Sequence, residues 1–435
     1  RGEAASVGEW VAARLKDGSL TTALEDIDAP ANWPRTMVVW RSNLFGSSAK
    51  GNEYFLKHLL GTGSNLMPND HASEARPEVV RFREDAPEGK LDLLISADFR
   101  MTSTTLLSDI VFPAATWYEK YDISSTDMHP YVHAFTPAID PPWEAKSDFD
   151  FFTLLARAIS TLAKGRLDTR SDLVAVPMQH DTPGQISQPG GHVPDWRGTD
   201  LPAVPGKNLP ALMVVERDYT AIADKLATVG PLADRLGFTV KNITYDVNGS
   251  VDLLGKLHGV MASGAGAGRP AIDTDARLAE AILAFSGTTN GALATQGFHT
   301  LEAKTGRKLA DLSEGQEERR ITYKQTQEAP QPVITSPEWS GSETGGRRYA
   351  AFTINTERLK PWHTLSGRMH FFLDHDWMID AGEQLPTFRP PLDMSRAFGE
   401  PELGPTGEKA ITLRYLTVHN KWSIHSEYQD NLFML

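Results

Sequence analysis

Short apolar runs alternate with polar, glycine-bearing loops in the first part of the chain. The runs are rich in β-branched and large apolar residues, as in strands that are buried in a sheet, and they are residues 36–40, 91–97 and 109–113. Apolar residues with helical spacing predict helices at residues 8–24, 52–60 and 148–164. This order of elements is typical of a parallel α/β sheet, which binds ligands in the loops at the carboxyl ends of its strands.

The pattern is less regular after residue 165. Residues 167–206 are rich in Pro, Gly, Gln and Asp, which predicts a long irregular connection. A further strand is predicted at 212–215, and helices at 219–236 and 274–285. Residues 264–268 (GAGAG) lack the spacing of a dinucleotide-binding loop and follow a helical pattern, so a flexible linker is favoured there.

Composition limits the class of protein. The chain has 435 residues, 40% hydrophobic and 23% charged, which is ordinary globular usage for two to four domains. The formal net charge of −13 argues against nonspecific binding to nucleic acid or anionic lipid. No apolar run reaches the ~18–20 residues that span a bilayer. Without cysteine, the chain itself supplies no disulfide, cysteine nucleophile or cysteine-ligated cluster.

The ends of the sequence suggest a fragment of a longer polypeptide. The chain begins at Arg1 rather than methionine, and it stops within an apolar run, residues 431–435, that is typical of an interrupted strand.

The loop after the first predicted strand is rich in hydroxyl groups and glycine. It carries a lysine as well as hydrogen-bond donors, and its polar residues are Ser42, Asn43, Ser47, Ser48 and Lys50. Backbone N–H groups, hydroxyls and a cation at the start of a helix favour a phosphate or pyrophosphate. The alternative is a polar loop whose serine caps the following helix.

Three further places could contact a nucleotide-like ligand. Asp98 follows the second strand, where its carboxylate could accept bonds from a guanine edge or a ribose, or only cap the next turn. Trp117 could cover a heterocycle and Lys120 could meet a phosphate; the alternative is an aromatic core residue beside a surface ion pair. His419 and His425 could bond a polar heterocycle or be structural, and their spacing makes a metal site weak.

Three sequence blocks resemble a known family. They are residues 40–51 (WRSNLFGSSAKG), 97–100 (ADFR) and 108–120 (SDIVFPAATWYEK). They are similar to the molybdopterin oxidoreductases of the dimethyl-sulfoxide-reductase superfamily. Five more blocks narrow the resemblance to the α subunits of membrane-bound respiratory nitrate reductases: 125–130 (STDMHP), 143–148 (WEAKSD), 336–341 (SPEWSG), 364–368 (TLSGR) and 419–426 (HNKWSIHS).

The resemblance implies a catalytic subunit that carries molybdenum bis(molybdopterin guanine dinucleotide) and one [4Fe-4S] cluster. Such a subunit works at the cytoplasmic face of the membrane with an iron–sulfur β subunit and a haem b γ subunit, reducing nitrate to nitrite with electrons from quinol. The implied cofactor-binding residues are Trp40, Arg41, Ser42, Asn43, Leu44, Ser47, Ser48, Lys50, Asp98, Arg100, Thr116, Trp117, Lys120, Asp127, His419, Trp422, Ile424, His425 and Ser426.

The resemblance also implies an incomplete active site. In the family, the cluster ligands and the aspartate that binds molybdenum lie upstream of this segment, so no catalytic or metal-ligating residue is expected here. The expected fold has three parts: a parallel-sheet, Rossmann-like α/β cofactor domain at 1–165, an irregular connection and mixed α/β region at 166–405, and the truncated start of a double-psi β-barrel at 406–435. The alternatives are a reductase of another oxyanion, such as chlorate or selenate, and a noncatalytic nucleotide-binding or assembly module.

Overall fold

A computed structural model describes most of the chain between residues 4 and 388. The described residues are 4–23, 25–47, 52, 54–62, 86–126, 129–176, 196, 200–205, 208–240, 243–334, 352–362, 371–373, 376–380 and 382–388. Contacts divide the chain into two compact units. Unit 1 contains residues 1–21, 113–186 and 191–369, and unit 2 contains residues 22–112, 187–190 and 370–435.

Strands and helices are mixed along the described chain. The strands are β1 Thr36–Trp40, β2 Leu93–Asp98, β3 Ile110–Pro113, β4 Asp122–Ser125, β5 Tyr131–Phe135, β6 Thr169–Val176, β7 Ala211–Asp218, β8 Phe238–Val240, β9 Ile243–Tyr245 and β10 Gln331–Pro332. The helices are α1 Val7–Lys16, α2 Leu44–Ser47, α3 Ser103–Leu106, α4 Asp148–Ala163, α5 Ile222–Leu226, α6 Leu232–Leu236, α7 Asn248–His258, α8 Asp275–Ala284, α9 Gly291–Thr305, α10 Tyr323–Glu328, α11 Thr353–Glu357 and α12 Asp376–Asp380. The fold is therefore mixed α/β, as the sequence predicts.

Unit 2 is built on a three-stranded sheet in the order β1-β2-β3. β1 and β2 are parallel, and Trp40 at the end of β1 pairs with Ala97 near the end of β2. Leu94 of β2 is almost completely buried, and its amide donates to the Asp109 carboxylate at 2.7 Å, which connects β2 to the segment before β3. Because β1 and β2 are parallel neighbours, the loops that follow them leave the same edge of the sheet.

In unit 1, the antiparallel sheet β10-β5-β4 packs against helices α8 and α10. Val132 of β5, Leu283 of α8 and Tyr323 of α10 share one buried cluster. Two further buried clusters join α7, α8 and α9 to the neighbouring turns. The first cluster therefore brings together residues from two distant parts of the sequence.

Several expectations are confirmed closely. β1 has the predicted bounds, and α4 is one residue shorter than the predicted helix. Ser147 caps α4 by accepting the Asp150 amide at 3.1 Å, and buried Phe151 and Ala156 give the helix its inner face.

Other boundaries were predicted wrongly for local reasons. α1 ends at Lys16 because Asp17 caps it and Gly18 takes a positive φ of 74°. The predicted helix at 219–236 is divided into a 3-10 turn, α5 and α6, with Pro231 immediately before the first residue of α6.

Two segments are more regular than predicted. β6 lies inside the segment expected to be irregular, where it pairs with β7 over eight residues. The predicted flexible linker at 264–268 is a fixed turn, because the Ala265 amide donates to Asp224 at 2.9 Å and the Gly268 amide donates to the Met261 carbonyl at 2.9 Å.

Candidate functional site

The candidate site in unit 2 lies where β1 and β2 end. The Arg41 amide donates to the Ala97 carbonyl at 2.9 Å, so the ladder between the strands continues one residue past β1. Arg41 has a φ of 51°, in the left-handed region that most side chains avoid. Its guanidinium group lies 5.3 Å from the centre of the Phe99 ring, in the loop after β2. The two loops are thus in contact at their first residues.

Asn43 connects the two loops more deeply. Its side chain is buried, and Oδ1 accepts from Thr104 Oγ1 at 3.1 Å, the Thr104 amide at 3.3 Å and the Gly46 amide at 3.2 Å. Thr104 is fully buried, and its Oγ1 in turn accepts from the Phe45 amide at 3.2 Å. We name these four hydrogen bonds the Asn43–Thr104 contact; it fixes the loop after β1 to helix α3.

The loop after β2 is fixed by a capping box. Thr102 Oγ1 accepts from the Thr105 amide at 3.2 Å, and Thr105 Oγ1 accepts from the Thr102 amide at 2.5 Å. These two threonines and Thr104 are not among the residues predicted from the sequence. The spacing of Thr102 and Thr105 resembles a capping box and could have indicated the start of α3, but nothing local indicates the partner of Thr104, which lies 61 residues away in sequence.

Asp98 is the last residue of β2, and only 9% of its surface is exposed. Its Oδ1 accepts from the Phe99 amide at 2.7 Å and from the Arg100 amide at 3.3 Å. Within the described part of the chain, its Oδ2 accepts no hydrogen bond. Burial raises the pKa of the Asp98 carboxyl, while these two amides and the charges of Arg41 and Arg100 act in the opposite direction. In the described residues, the two amides therefore occupy only one of the two oxygens of Asp98.

This arrangement fits one end of a nucleotide. A carboxylate can accept the N–H groups of a purine edge, and guanidinium groups such as those of Arg41 and Arg100 bind phosphate. The other predicted residues of the loop after β1 differ in exposure: Ser42 and Leu44 are half-buried, whereas Trp40 is 52% exposed. Ser47 is the last residue of α2, and Ser48 and Lys50 lie outside the described residues.

Three predicted residues belong to unit 1. Within residues 116–120, the Thr116 amide donates to Glu119 Oε2 at 2.9 Å, and Trp117 is 41% exposed. Lys120 is 7% exposed, and its Nζ lies 2.7 Å from Asp148 Oδ2 and 2.6 Å from Asp122 Oδ2. Two carboxylates therefore offset the charge of this buried Lys120, and its contact with a phosphate stays a prediction.

The remaining predictions fall outside the described residues. They are Asp127 and the C-terminal group of His419, Trp422, Ile424, His425 and Ser426.

Neither a three-residue metal cluster nor a membrane-spanning helix occurs in the ranges that the structure describes. No three His, Asp or Glu side chains there are placed to hold a metal ion. No helix of those ranges is both long and apolar enough to cross a bilayer.

Comparisons with known proteins match two separate regions of the chain to protein families. Residues 20–158 match the molybdopterin oxidoreductase family, and residues 236–357 match domain V of the nitrate reductase alpha chain. The chain is 60% identical over 430 residues to the nitrate reductase alpha subunit of Mycobacterium tuberculosis strain H37Rv, and 48% identical over 431 residues to the nitrate reductase alpha chain of Bacillus subtilis strain 168. It is 41% identical over 443 residues to the respiratory nitrate reductase 1 alpha chain of Escherichia coli strain K12.

These relatives match almost all of this chain but extend well beyond it. The alignments cover 99% of the chain for the first two and 100% for the third, and 35% of each relative. The chain thus spans about a third of the length of the curated relatives it matches.

Proposed function

We propose a function from the premise that this chain is related along its whole length to nitrate reductase alpha chains and contains a molybdopterin oxidoreductase region. The chain is proposed to be part of the catalytic subunit of a quinol-linked respiratory nitrate reductase, in which it binds the guanosine end of a molybdopterin guanine dinucleotide. Nitrate is the proposed substrate and nitrite the product.

The observation that carries this proposal is the Asn43–Thr104 contact beside Asp98. It joins two loops at the carboxyl ends of adjacent parallel strands, where sheets of this class bind ligands. Asp98 would accept N–H groups of guanine through Oδ2, since Oδ1 is held by two backbone amides. Arg41 and Arg100 would bind the phosphates, and Trp40, Ser42 and Leu44 would line the same loop.

The bound cofactor would supply the oxygen-atom transfer between nitrate and molybdenum. The residues of this chain would bind and orient the cofactor without ligating the metal. The family resemblance also implies cofactor contacts by Thr116 and Trp117. The family resemblance further suggests a Rossmann-like arrangement for the first sheet, a double-psi barrel that begins near residue 406, and cofactor contacts by Asp127, His419 and His425.

The proposed assembly follows the same family. An iron–sulfur β subunit and a haem b γ subunit would connect this subunit to quinol at the cytoplasmic face of the membrane. A [4Fe-4S] cluster would be held by ligands outside these 435 residues.

Replacing Asp98 by asparagine tests the proposed guanine contact. The amide oxygen of Asn can still accept from the Phe99 and Arg100 amides, but an NH2 group replaces the acceptor Oδ2 and faces the N–H groups of guanine. We expect guanine affinity to fall about 10- to 100-fold, as for the loss of a paired hydrogen-bonding edge. The loss is measured as the molybdenum content and the acid-released GMP per polypeptide, in the natural polypeptide that contains this chain.

Asp92→Asn is the matched control for this test. Asp92 lies just before the other end of β2 and pairs with Arg35 at 2.6 Å in an exposed ion pair. This variant should keep full molybdenum and GMP. Full occupancy in Asp98→Asn would contradict the assignment of Asp98.

A further inference from the structure

We propose that the region matching domain V positions residues 116–120, which include the proposed cofactor contacts Thr116 and Trp117, with Tyr323 of α10 as the positioning residue. The inference rests on the proposed function. It begins from an observation about the sequence matches: residues 113–158 of the molybdopterin region lie in unit 1, together with the whole domain V match. The contacts between these two regions indicate how the domain V region positions residues 116–120.

The hydroxyl of Tyr323 binds the hairpin β4–β5 at its open end. It donates to the Phe135 carbonyl at 2.5 Å and lies 3.3 Å from the Asp122 carbonyl. Asp122 and Phe135 are opposite each other in the register and form the ladder pair nearest to Lys120. One phenol group therefore fixes both strands at the point where residues 116–120 lead into β4.

Tyr323 is itself rigidly held. Tyr323 is 5% exposed and belongs to the buried cluster shared by β5 and α8. Its backbone amide donates to Glu280 Oε2 at 2.7 Å. Burial raises the pKa of Tyr323 to about 12, so the hydroxyl remains a proton donor at neutral pH. A second contact comes from α8, where Asp275 Oδ2 accepts the Tyr121 amide at 3.4 Å.

The carboxylate of Asp122 connects the hairpin to Lys120 through an ion pair. Asp122 Oδ2 holds Nζ of Lys120 at 2.6 Å, and Asp148 at the start of α4 holds the same atom at 2.7 Å. Lys120 is thereby a buried connection between α4 and β4. We infer that its role is to fix the turn that carries Thr116 and Trp117, rather than to bind a phosphate itself.

Tyr323→Phe tests this role by removing only the hydroxyl. Two quantities are measured in the natural polypeptide: amide hydrogen exchange of residues 116–122, and the rate at which bound pterin is released. We expect faster exchange in this segment and release that is about fivefold faster, the effect of one neutral hydrogen bond. Tyr219→Phe is the matched control, because it also removes one hydroxyl bond, to Asp172 at 2.9 Å on the β6–β7 ribbon.

A second variant tests the other end of the connection. Asp148→Asn keeps an acceptor for Lys120 but removes the charge, and we expect it also to accelerate pterin release relative to Tyr219→Phe. It decides the question if Tyr323→Phe does not fold.

The outcomes separate this inference from the proposed function. Release rates equal to those of Tyr219→Phe in a loaded protein would overturn the role of Tyr323 and leave the proposed function standing. A wild-type protein that contains no pterin would overturn the proposed function, and this inference with it.

Discussion

Replacing Thr104 by valine removes the hydroxyl group at the centre of the Asn43–Thr104 contact. Valine has nearly the same shape, so the change isolates the hydrogen bonds. The hydroxyl donates to Asn43 Oδ1 at 3.1 Å and accepts the Phe45 amide at 3.2 Å, in a residue with no exposed surface. Valine therefore removes two hydrogen bonds, and the Phe45 amide loses the hydroxyl group to which it donates.

The expected cost follows from these bonds. A buried donor without a partner costs about 1–3 kcal/mol, and the other lost bond adds about 1 kcal/mol, so we expect about 2–4 kcal/mol in total. At 1.4 kcal/mol per factor of ten, this is a fall of about 30- to 700-fold in the hydrogen-exchange protection of residues 43–46 and 102–106. Exchange is the suitable assay because it reads local opening of the two loops.

Thr104→Ser is the control for packing. Serine keeps the hydroxyl and loses one methyl group, worth about 0.8 kcal/mol, so protection should fall only about fourfold. Equal protection in the valine and serine variants would show that these hydrogen bonds do not hold the loops together.

Two further predictions concern a close approach and a buried charge. Gly291→Ala should lower the melting temperature strongly, because a Cβ there would collide with the Gln316 carbonyl. Gly249→Ala is the control: its Cβ meets no atom within 4 Å inside α7, so this variant should be neutral or stabilising. Similar melting temperatures for the two variants would refute this reasoning. Because burial raises the pKa of Asp98, the free energy of unfolding of the wild-type protein should fall as pH rises from about 4 through the folded-state pKa. Asp98→Asn should not show that fall. Parallel pH profiles of the two proteins, measured by denaturant unfolding, would refute this prediction.

The sequence predicts well those elements whose signal is local. β1 is a short apolar run between polar residues, and α4 has both a serine cap and a helical apolar face, so both were found with nearly correct bounds. β6 was missed because its strand conformation comes with pairing to β7, about 40 residues later, rather than from its own composition.

The candidate site was predicted to a similar degree. Asn43 and Asp98 could be selected because each follows a buried strand, and the structure brings their loops together in unit 2. Their roles toward a cofactor remain predictions. Thr104 and Tyr323 could not be selected, because each acts through a partner that is distant in sequence and that only the tertiary fold brings near.

The bond between Tyr323 and Phe135 has a consequence for the order of biosynthesis. The two residues are 188 positions apart. At about 5–20 residues per second, a ribosome needs about 10–40 s to pass from one to the other. The hairpin β4–β5 lacks Tyr323 throughout that interval, and α8, which shares the same buried cluster, is synthesised only in its last part. The nascent chain therefore leaves the apolar face of this strand pair uncovered for most of that time.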